Sequence, residues 1–141
     1  MGEADARCVL LADPNHGLSE GVRGLLATTF QAVVMVADEV SLFESAARLQ
    51  SDLAVIDLAL ARGNALDLVR RLRDRFPTMK MIIVSVYDQW SVSRSVLEAG
   101  ANGFVVKRSI ATDLLAATDA VLAGERYVSP EVEARQEPGL L

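Results

Sequence analysis

The sequence holds one cysteine, one histidine and no apolar segment long enough to cross a membrane. A single cysteine excludes an intrachain disulfide and a cysteine cluster for zinc, so Cys8 is predicted to be a small core residue of the first strand. Basic residues are not in excess. The formal net charge of −5 argues against a nucleic-acid site on the chain itself. The first residues lack the apolar core of a signal peptide, so we expect a cytoplasmic protein.

Short apolar runs alternate with amphipathic stretches along most of the chain. Its 141 residues suffice for one domain with a core, and 51% of them are hydrophobic. The runs are apolar almost throughout, which is typical of strands that are covered on both faces. We therefore predict five β-α units in a three-layer α/β/α fold with a parallel sheet. The predicted strands are residues 8–12, 32–36, 53–56, 79–84 and 104–106.

Several polar residues and glycines mark predicted helix ends. Ser41 and Glu44 form a capping box that predicts the start of the second helix. Asn64 and Ser109 are predicted N-caps of the third and fifth helices, and Gly100 is the predicted end of the fourth. The arginine-rich residues 70–75 are predicted to form a solvated face.

The pattern changes after Gly124. Residues 125–141 contain two prolines and several charges but no apolar stripe, which predicts a linker or carboxy-terminal tail. Within it, Ser129 and Pro130 could begin a short helix as N-cap and first helical residue. Residues 1–7 are predicted to be an amino-terminal tail, which leaves residues 8–124 as the domain.

Four polar residues follow predicted strands directly, and in open parallel sheets ligands bind at the carboxyl ends of the strands. Two acids, a hydroxyl and an ammonium at one edge suit phosphoryl transfer to a carboxylate. Asp57 would be the nucleophile and Asp13 would help to hold Mg²⁺. Ser85 and Lys107 would meet the phosphoryl oxygens.

The motifs VLLAD, DLAVIDLAL, IIVSVYD and GANGFVVK occur in this order, so that the chain resembles a response-regulator receiver domain of two-component signalling. The resemblance runs from about Cys8 to Gly124 and implies a flavodoxin-like five-stranded sheet of order 2-1-3-4-5. It also implies Mg²⁺ as the cofactor. The roles it implies are phospho-acceptor for Asp57, switch residues for Ser85 and Phe104, phosphate sensor for Lys107, and metal ligands for Asp13, Asp57 and the backbone carbonyl of Ala59.

The stretch GERYVSPEV is similar to the segment that leaves the receiver in the NarL/FixJ (LuxR-type) subfamily, whose members carry a helix-turn-helix domain next. We expect that the residues after this segment are too few to form such a domain, so that DNA would be bound only through an output domain that this sequence does not contain. The resemblance implies that a histidine kinase is a partner and that the chain does not associate with a membrane. It also implies a homodimer, formed through the face of the fourth helix, fifth strand and fifth helix or through the first and fifth helices.

The chain departs from the family pattern at several positions. The family usually has a second acid after the first strand, and here that position is Pro14, which offers no carboxylate. Asn15 could supply a neutral oxygen instead. The loop LARGNAL lacks the usual Met-Pro-Gly, Arg108 follows the lysine, and Val86 is bulkier than the small residue often found there.

These departures leave alternatives open. The chain could be a pseudo-receiver that acts as an interaction or dimerisation module without phosphorylation. It could also be a stand-alone receiver in a phosphorelay. A phosphatase with an aspartyl intermediate is disfavoured because no second acid is placed as proton donor, so we expect no enzyme activity beyond self-phosphotransfer and autodephosphorylation.

Three residues have both functional and structural interpretations. Phe104 could be a permanent core residue rather than a switch. Trp90 could anchor a partner, but we expect it to cover its own helix. His16 could respond to pH near neutrality, but we expect a solvated loop residue.

Overall fold

The computed structural model describes residues 5–135. Residues 1–4 and 136–141, which belong to the two predicted tails, lie outside the described residues, as does the side chain of His16. No helix within 5–135 is long and apolar enough to cross a membrane. The elements are β1 (Asp5–Ala12), α1 (His16–Ala27), β2 (Phe30–Val36), α2 (Glu39–Leu49), β3 (Leu53–Asp57), α3 (Ala65–Arg75), β4 (Lys80–Ser85), α4 (Trp90–Ala99), β5 (Gly103–Val106), α5 (Ile110–Leu122), β6 (Tyr127–Val128) and α6 (Pro130–Glu133).

The strands form one parallel sheet of order β2-β1-β3-β4-β5-β6. The predicted order of the first five strands is therefore confirmed. The sequence did not predict β6, which pairs with the outer edge of β5. β1 begins at Asp5, earlier than predicted, so residues 5–7 belong to a strand rather than to a tail.

Two apolar layers cover the sheet, as the continuous apolar runs predict. Odd-numbered residues of β1 and β3, such as Val9 and Val55, pack with α1 and α5. Even-numbered ones, such as Leu10 and Ile56, pack with α2, α3 and α4. Because side chains alternate along a strand, the parity of a residue at the end of a strand decides which helical layer it faces. Cys8, predicted to be a core residue, is only partly buried.

The predicted start of α2 is wrong. Its N-cap is Asp38, whose carboxylate accepts a hydrogen bond of 2.8 Å from the backbone N–H of Ser41, so Ser41 lies inside the helix. An aspartate is an equally good cap and stands nearer to the end of β2. The prediction for α3 is confirmed, since the Asn64 side chain accepts hydrogen bonds from the N–H groups of Leu66 and Asp67. The predicted stop of α4 at Gly100 is also confirmed.

The arginine run on α3 is only partly a solvated face. The guanidinium of Arg73 turns back over the end of the helix and donates to the carbonyls of Gly100 and Met79 and to the side chain of Asn102. This contact ties α3 to the turn before β5. Gly100 is required there, because its φ is +130° and an added Cβ would lie 2.9 Å from the Arg73 side chain.

Residues 125–135, predicted to be linker or tail, pack against the edge of the sheet. Val132 and Ser129 are fully buried, and the N–H of Ser129 donates 2.9 Å to the carbonyl of Phe104. The predicted helix at Pro130 is present, with Ser129 in the N-cap position. The domain limits at residues 8 and 124 stay predictions.

Candidate functional site

Strand register brings the strand-end residues to one edge of the sheet. Ala12 pairs with Ile56, so Asp13 and Asp57 each stand one residue beyond a paired position on neighbouring strands. Lys107 follows Val106, which pairs with Ser85. The strand ends therefore converge, as the pattern of apolar runs followed by polar residues predicts.

A lysine connects the two carboxylates. Lys107 Nζ lies 2.5 Å from Asp57 Oδ2 and 3.8 Å from Asp13 Oδ2. Both aspartates are buried, with exposed fractions of 6% for Asp13 and 5% for Asp57. A buried pair of carboxylates needs a nearby cation because burial removes the water that would otherwise stabilise the charge. Here that cation is Lys107, and the three residues form what we call the acid–lysine trio.

The ammonium of Lys107 responds to its two neighbours. Burial by itself would lower the pKa of this lysine, but the hydrogen bond with Asp57 and the charges of Asp57 and Asp13 outweigh it. The net result is a pKa above the ordinary value of 10.5. The lysine is therefore charged throughout the neutral range.

Backbone N–H groups orient each carboxylate from its own loop. The N–H of Asn15 donates 2.8 Å to Asp13 Oδ1, and the N–H of Ala59 donates 2.8 Å to Asp57 Oδ1. In both cases the donor is two residues further on, the geometry of an Asx turn. Pro14 is exposed and its side chain adds no ligand to the trio. The metal-ligand role of the Ala59 carbonyl stays a prediction.

The structure does not bring the two predicted switch residues into the trio. Ser85 is 1% exposed, and its hydroxyl accepts a hydrogen bond of 2.9 Å from the N–H of Tyr87. Val84 faces the layer of α1 and α5, and because side chains alternate along a strand, Ser85 faces the other side of the sheet. Phe104 is fully buried in the layer of α2, α3 and α4, on that same face. Their switching roles stay predictions.

A second cluster, which the sequence did not reveal, joins β5 to the carboxy-terminal segment. The Ser129 hydroxyl donates 2.8 Å to Asp113 Oδ2 and accepts 3.0 Å from the N–H of Val106. Burial and the nearby charge of Asp113 also raise the pKa of Tyr127. Ser129 had a sequence signal only as a helix start, and nothing in the local pattern around Asp113 marked it as its partner.

Arg108, next to Lys107, forms an exposed ion-pair group with the same segment. Its guanidinium contacts Asp88, at 2.7 Å, and Glu131, which also accepts from the Ser109 hydroxyl. Arg135 lies 3.2 Å from Asp88. The loop after β4, the turn after β5 and α6 thus meet at one charged group. Ser109, the predicted N-cap of α5, uses its side chain for this contact and not for capping.

The residues present fit Mg²⁺ at a minimal level. Among residues 5–135 there is no group of three or more acidic, histidine or cysteine side chains that could hold a metal. Mg²⁺ is usually held by one or two carboxylates, with waters and phosphate oxygens completing its shell. Asp13 and Asp57 supply that minimum, and their donor oxygens are of the type this ion prefers.

Comparisons with known proteins agree on one family. The family model described as "Response regulator receiver domain" matches residues 9–119. The transcriptional regulatory protein DegU of Brevibacillus brevis is 28% identical over 126 residues, covering 88% of this chain and 53% of that protein. The nitrate/nitrite response regulator protein NarP of Escherichia coli K12 is 31% identical over 134 residues, covering 94% of this chain and 62% of that protein.

A solved structure agrees with the fold. The crystal structure of a two-component response regulator of the LuxR family from Aurantimonas sp. SI85-9A1 superposes with a TM-score of 0.86 at 26% identity. The alignment covers 93% of this chain and 95% of that one. The chain spans between about half and three fifths of the length of the two curated relatives.

Proposed function

This chain belongs to the response regulator receiver domain family, and from that membership we propose that it accepts a phosphoryl group on Asp57 from a histidine kinase. The observation that carries the proposal is the contact of Asp57 with Lys107, at 2.5 Å, beside the buried Asp13. A carboxylate held next to a fixed cation can receive an anionic phosphoryl group without creating an unbalanced buried charge.

The chemistry follows from these positions. A carboxylate oxygen of Asp57 attacks the phosphorus of a phosphohistidine, the P–N bond breaks, and the imidazole leaves with the electron pair of that bond. Lys107 then exchanges its contact with the carboxylate for one with a phosphoryl oxygen. Bound Mg²⁺ would neutralise charge on the incoming phosphoryl group. Asp13, Asp57 and the Ala59 carbonyl are its proposed ligands, and Pro14 lowers its expected affinity.

The relay to a downstream element uses the residues around Lys107. Ser85 would leave the N–H of Tyr87 and turn its hydroxyl to the phosphoryl group, and Phe104 would follow into the space released. Movement of Lys107 would also displace its neighbour Arg108, which forms ion pairs with Asp88 and Glu131. The segment that leads out of the domain therefore responds to the charge on Asp57, a population shift between two arrangements.

The wider setting follows the family. We propose a cytoplasmic protein without catalytic turnover beyond self-phosphotransfer and autodephosphorylation. Dimerisation would use the α4–β5–α5 face or the α1–α5 face. DNA would be reached only through an output domain that follows residues 8–124 and the connecting residues 125–141 in a longer protein.

Phosphorylation is tested by intact mass after incubation with acetyl phosphate and Mg²⁺. We expect one phosphate adduct in the wild type, none in Asp57→Asn, and an unchanged adduct in Asp119→Asn, an exposed acid of α5. Trp90 fluorescence should change when beryllofluoride is added with Mg²⁺ and not with either alone. An adduct that persists in Asp57→Asn contradicts the assignment of the acceptor.

The alternative function is a pseudo-receiver, which Pro14 favours because it replaces the acid the family usually has there. Pro14→Asp separates the two. If the missing acid limits metal binding, this variant binds Mg²⁺ more tightly and accumulates more phosphate. A wild type that forms no adduct, together with a variant that does, assigns the chain to phosphorylation-independent interaction.

A further inference from the structure

An apolar cavity of about 360 Å³ lies against the acid–lysine trio, on the side of the sheet covered by α1 and α5. Its volume is at the lower end of the range for small-molecule sites. The trio and Arg108 supply the charged part of its lining. The rest of its wall is apolar and includes Leu11, Val22, Val55, Val84, Val86 and Ile110.

Strand alternation explains why the apolar wall runs directly into the charged group. Leu11 and Val55 belong to the layer of α1 and α5. Asp13, just beyond β1, and Asp57, at the end of β3, each follow two residues later and so lie on the same side of the sheet. The side chains two residues before each acid therefore point into the layer of α1 and α5. A molecule that reaches the carboxylates from this side passes along these side chains.

The cavity is open to solvent between α1 and α5. Val22 and Ile110 are partly exposed, and Val86 is 65% exposed. On α1, Gly21 adds no side chain beside Val22, and a Cβ at that position would meet no atom within 4 Å. The described rim residues Val22, Val86 and Ile110 thus leave the cavity accessible to a small molecule from solvent.

The charges of the trio are not balanced. Asp13 and Asp57 carry two negative charges, and Lys107 supplies one positive charge. Arg108 does not complete the balance because its guanidinium contacts Asp88 and Glu131. Pro14 brings no charge. Counted over the described side chains, the trio therefore carries one uncompensated negative charge, which a single ammonium group neutralises.

We propose that this cavity binds a small apolar molecule that carries one primary ammonium group. Its apolar body lies against Leu11, Val55 and Val84, and its ammonium lies beside Asp13. One ring with a short chain fits the volume. The ammonium occupies the place that Mg²⁺ would use, so the ligand and Mg²⁺ exclude each other. The inference does not depend on phosphorylation of Asp57, because it concerns the unphosphorylated protein.

The test compares three probes of nearly equal size and different charge. They are 2-phenylethylamine, 2-phenylethanol and 3-phenylpropanoate, titrated at pH 7 and followed by amide chemical shifts and calorimetry. We expect saturable binding of the amine, with shifts concentrated at Val84, Val86 and Ile110. We expect the alcohol to bind at least about tenfold more weakly and the carboxylate more weakly still.

Variants locate the two halves of the site. Val22→Phe fills the cavity from its rim and should weaken both the amine and the alcohol about tenfold or more. Val40→Phe is the matched control, an exposed valine of α2 on the other side of the sheet, and should change neither. Asp13→Asn should reduce the affinity for the amine to that for the alcohol and leave the alcohol unchanged. Circular dichroism checks that each variant is folded.

At Mg²⁺ concentrations that a separate metal titration shows to saturate the protein, the apparent dissociation constant of the amine should rise linearly with metal concentration. The proposal is overturned if the three probes bind equally, if none shows saturable shifts, if Val22→Phe binds the amine like the wild type, or if Mg²⁺ that binds the protein in that separate titration has no effect on bound amine. None of these outcomes bears on the phosphate adduct, so the failure of this proposal is distinguishable from failure of phosphorylation at Asp57.

Discussion

The hydroxyl of Ser129 donates a hydrogen bond of 2.8 Å to the buried carboxylate of Asp113. The same hydroxyl accepts the N–H of Val106, the residue before Lys107. One side chain thus joins the carboxy-terminal segment, the first turn of α5 and the strand that ends at the acid–lysine trio. These two bonds connect Ser129 to the strand that leads directly to Lys107.

Replacing Ser129 by alanine should lower the free energy of unfolding by about 1–3 kcal/mol, because it leaves a buried carboxylate and a buried N–H without this partner. Urea unfolding followed by circular dichroism measures the loss. Ser91→Ala, on the exposed face of α4, is the control and should leave the midpoint unchanged. Equal midpoints for the two variants would contradict the role of Ser129.

Acid should release α6 before the core unfolds. Hydrogen bonds from Ser109 and Arg108, together with the charge of Arg108, lower the pKa of Glu131, and the Arg108 hydrogen bond lowers that of Asp88. A carboxyl group whose pKa is lower in the folded than in the unfolded protein stabilises the fold fully at pH values above its ordinary pKa, here 4.5 for Glu131 and 3.8 for Asp88. That stabilisation is lost as the pH falls through the lower pKa of the folded state.

Methyl resonances of Val132 should therefore shift between about pH 5 and pH 3 while those of the central strands stay in place. Glu131→Gln should show the shifted position already at pH 7. Glu133→Gln, an exposed neighbour on α6, is the control and should follow the wild type. Simultaneous loss of all methyl signals in the wild type would show that α6 does not open separately.

Lys107 should confer no pH dependence on stability in the neutral range. Its folded pKa lies above the ordinary 10.5, so its stabilising contribution is complete below that value and is lost as pH rises through the folded pKa. The difference in unfolding free energy between the wild type and Lys107→Gln should be constant from about pH 6 to pH 9. If the difference shrinks within this range, burial lowers the pKa of Lys107 by more than the two carboxylates raise it.

Much of the fold followed from local pattern. Continuous apolar runs such as residues 53–56 predicted buried parallel strands, and Asn64 and Gly100 marked helix ends because capping depends on residues close by in the chain. The prediction for the start of α2 was wrong because local pattern did not suffice there. Asp38 and Ser41 are both competent caps, and only the position of β2 selects between them.

The sequence by itself determined the parallel sheet, the convergence of Asp13 and Asp57 at one edge and the loss of an acid at Pro14, because each depends on residues adjacent in the chain or on the regular alternation of strands and helices. Tertiary structure alone decided which groups pair across long separations. Ser129 meets Asp113 and Arg108 meets Glu131, 16 and 23 residues apart. No local pattern encodes such pairs, because they arise only when packing sets the two elements side by side. The apolar cavity has the same origin, since α1 and α5 leave it open only once both are packed on the sheet.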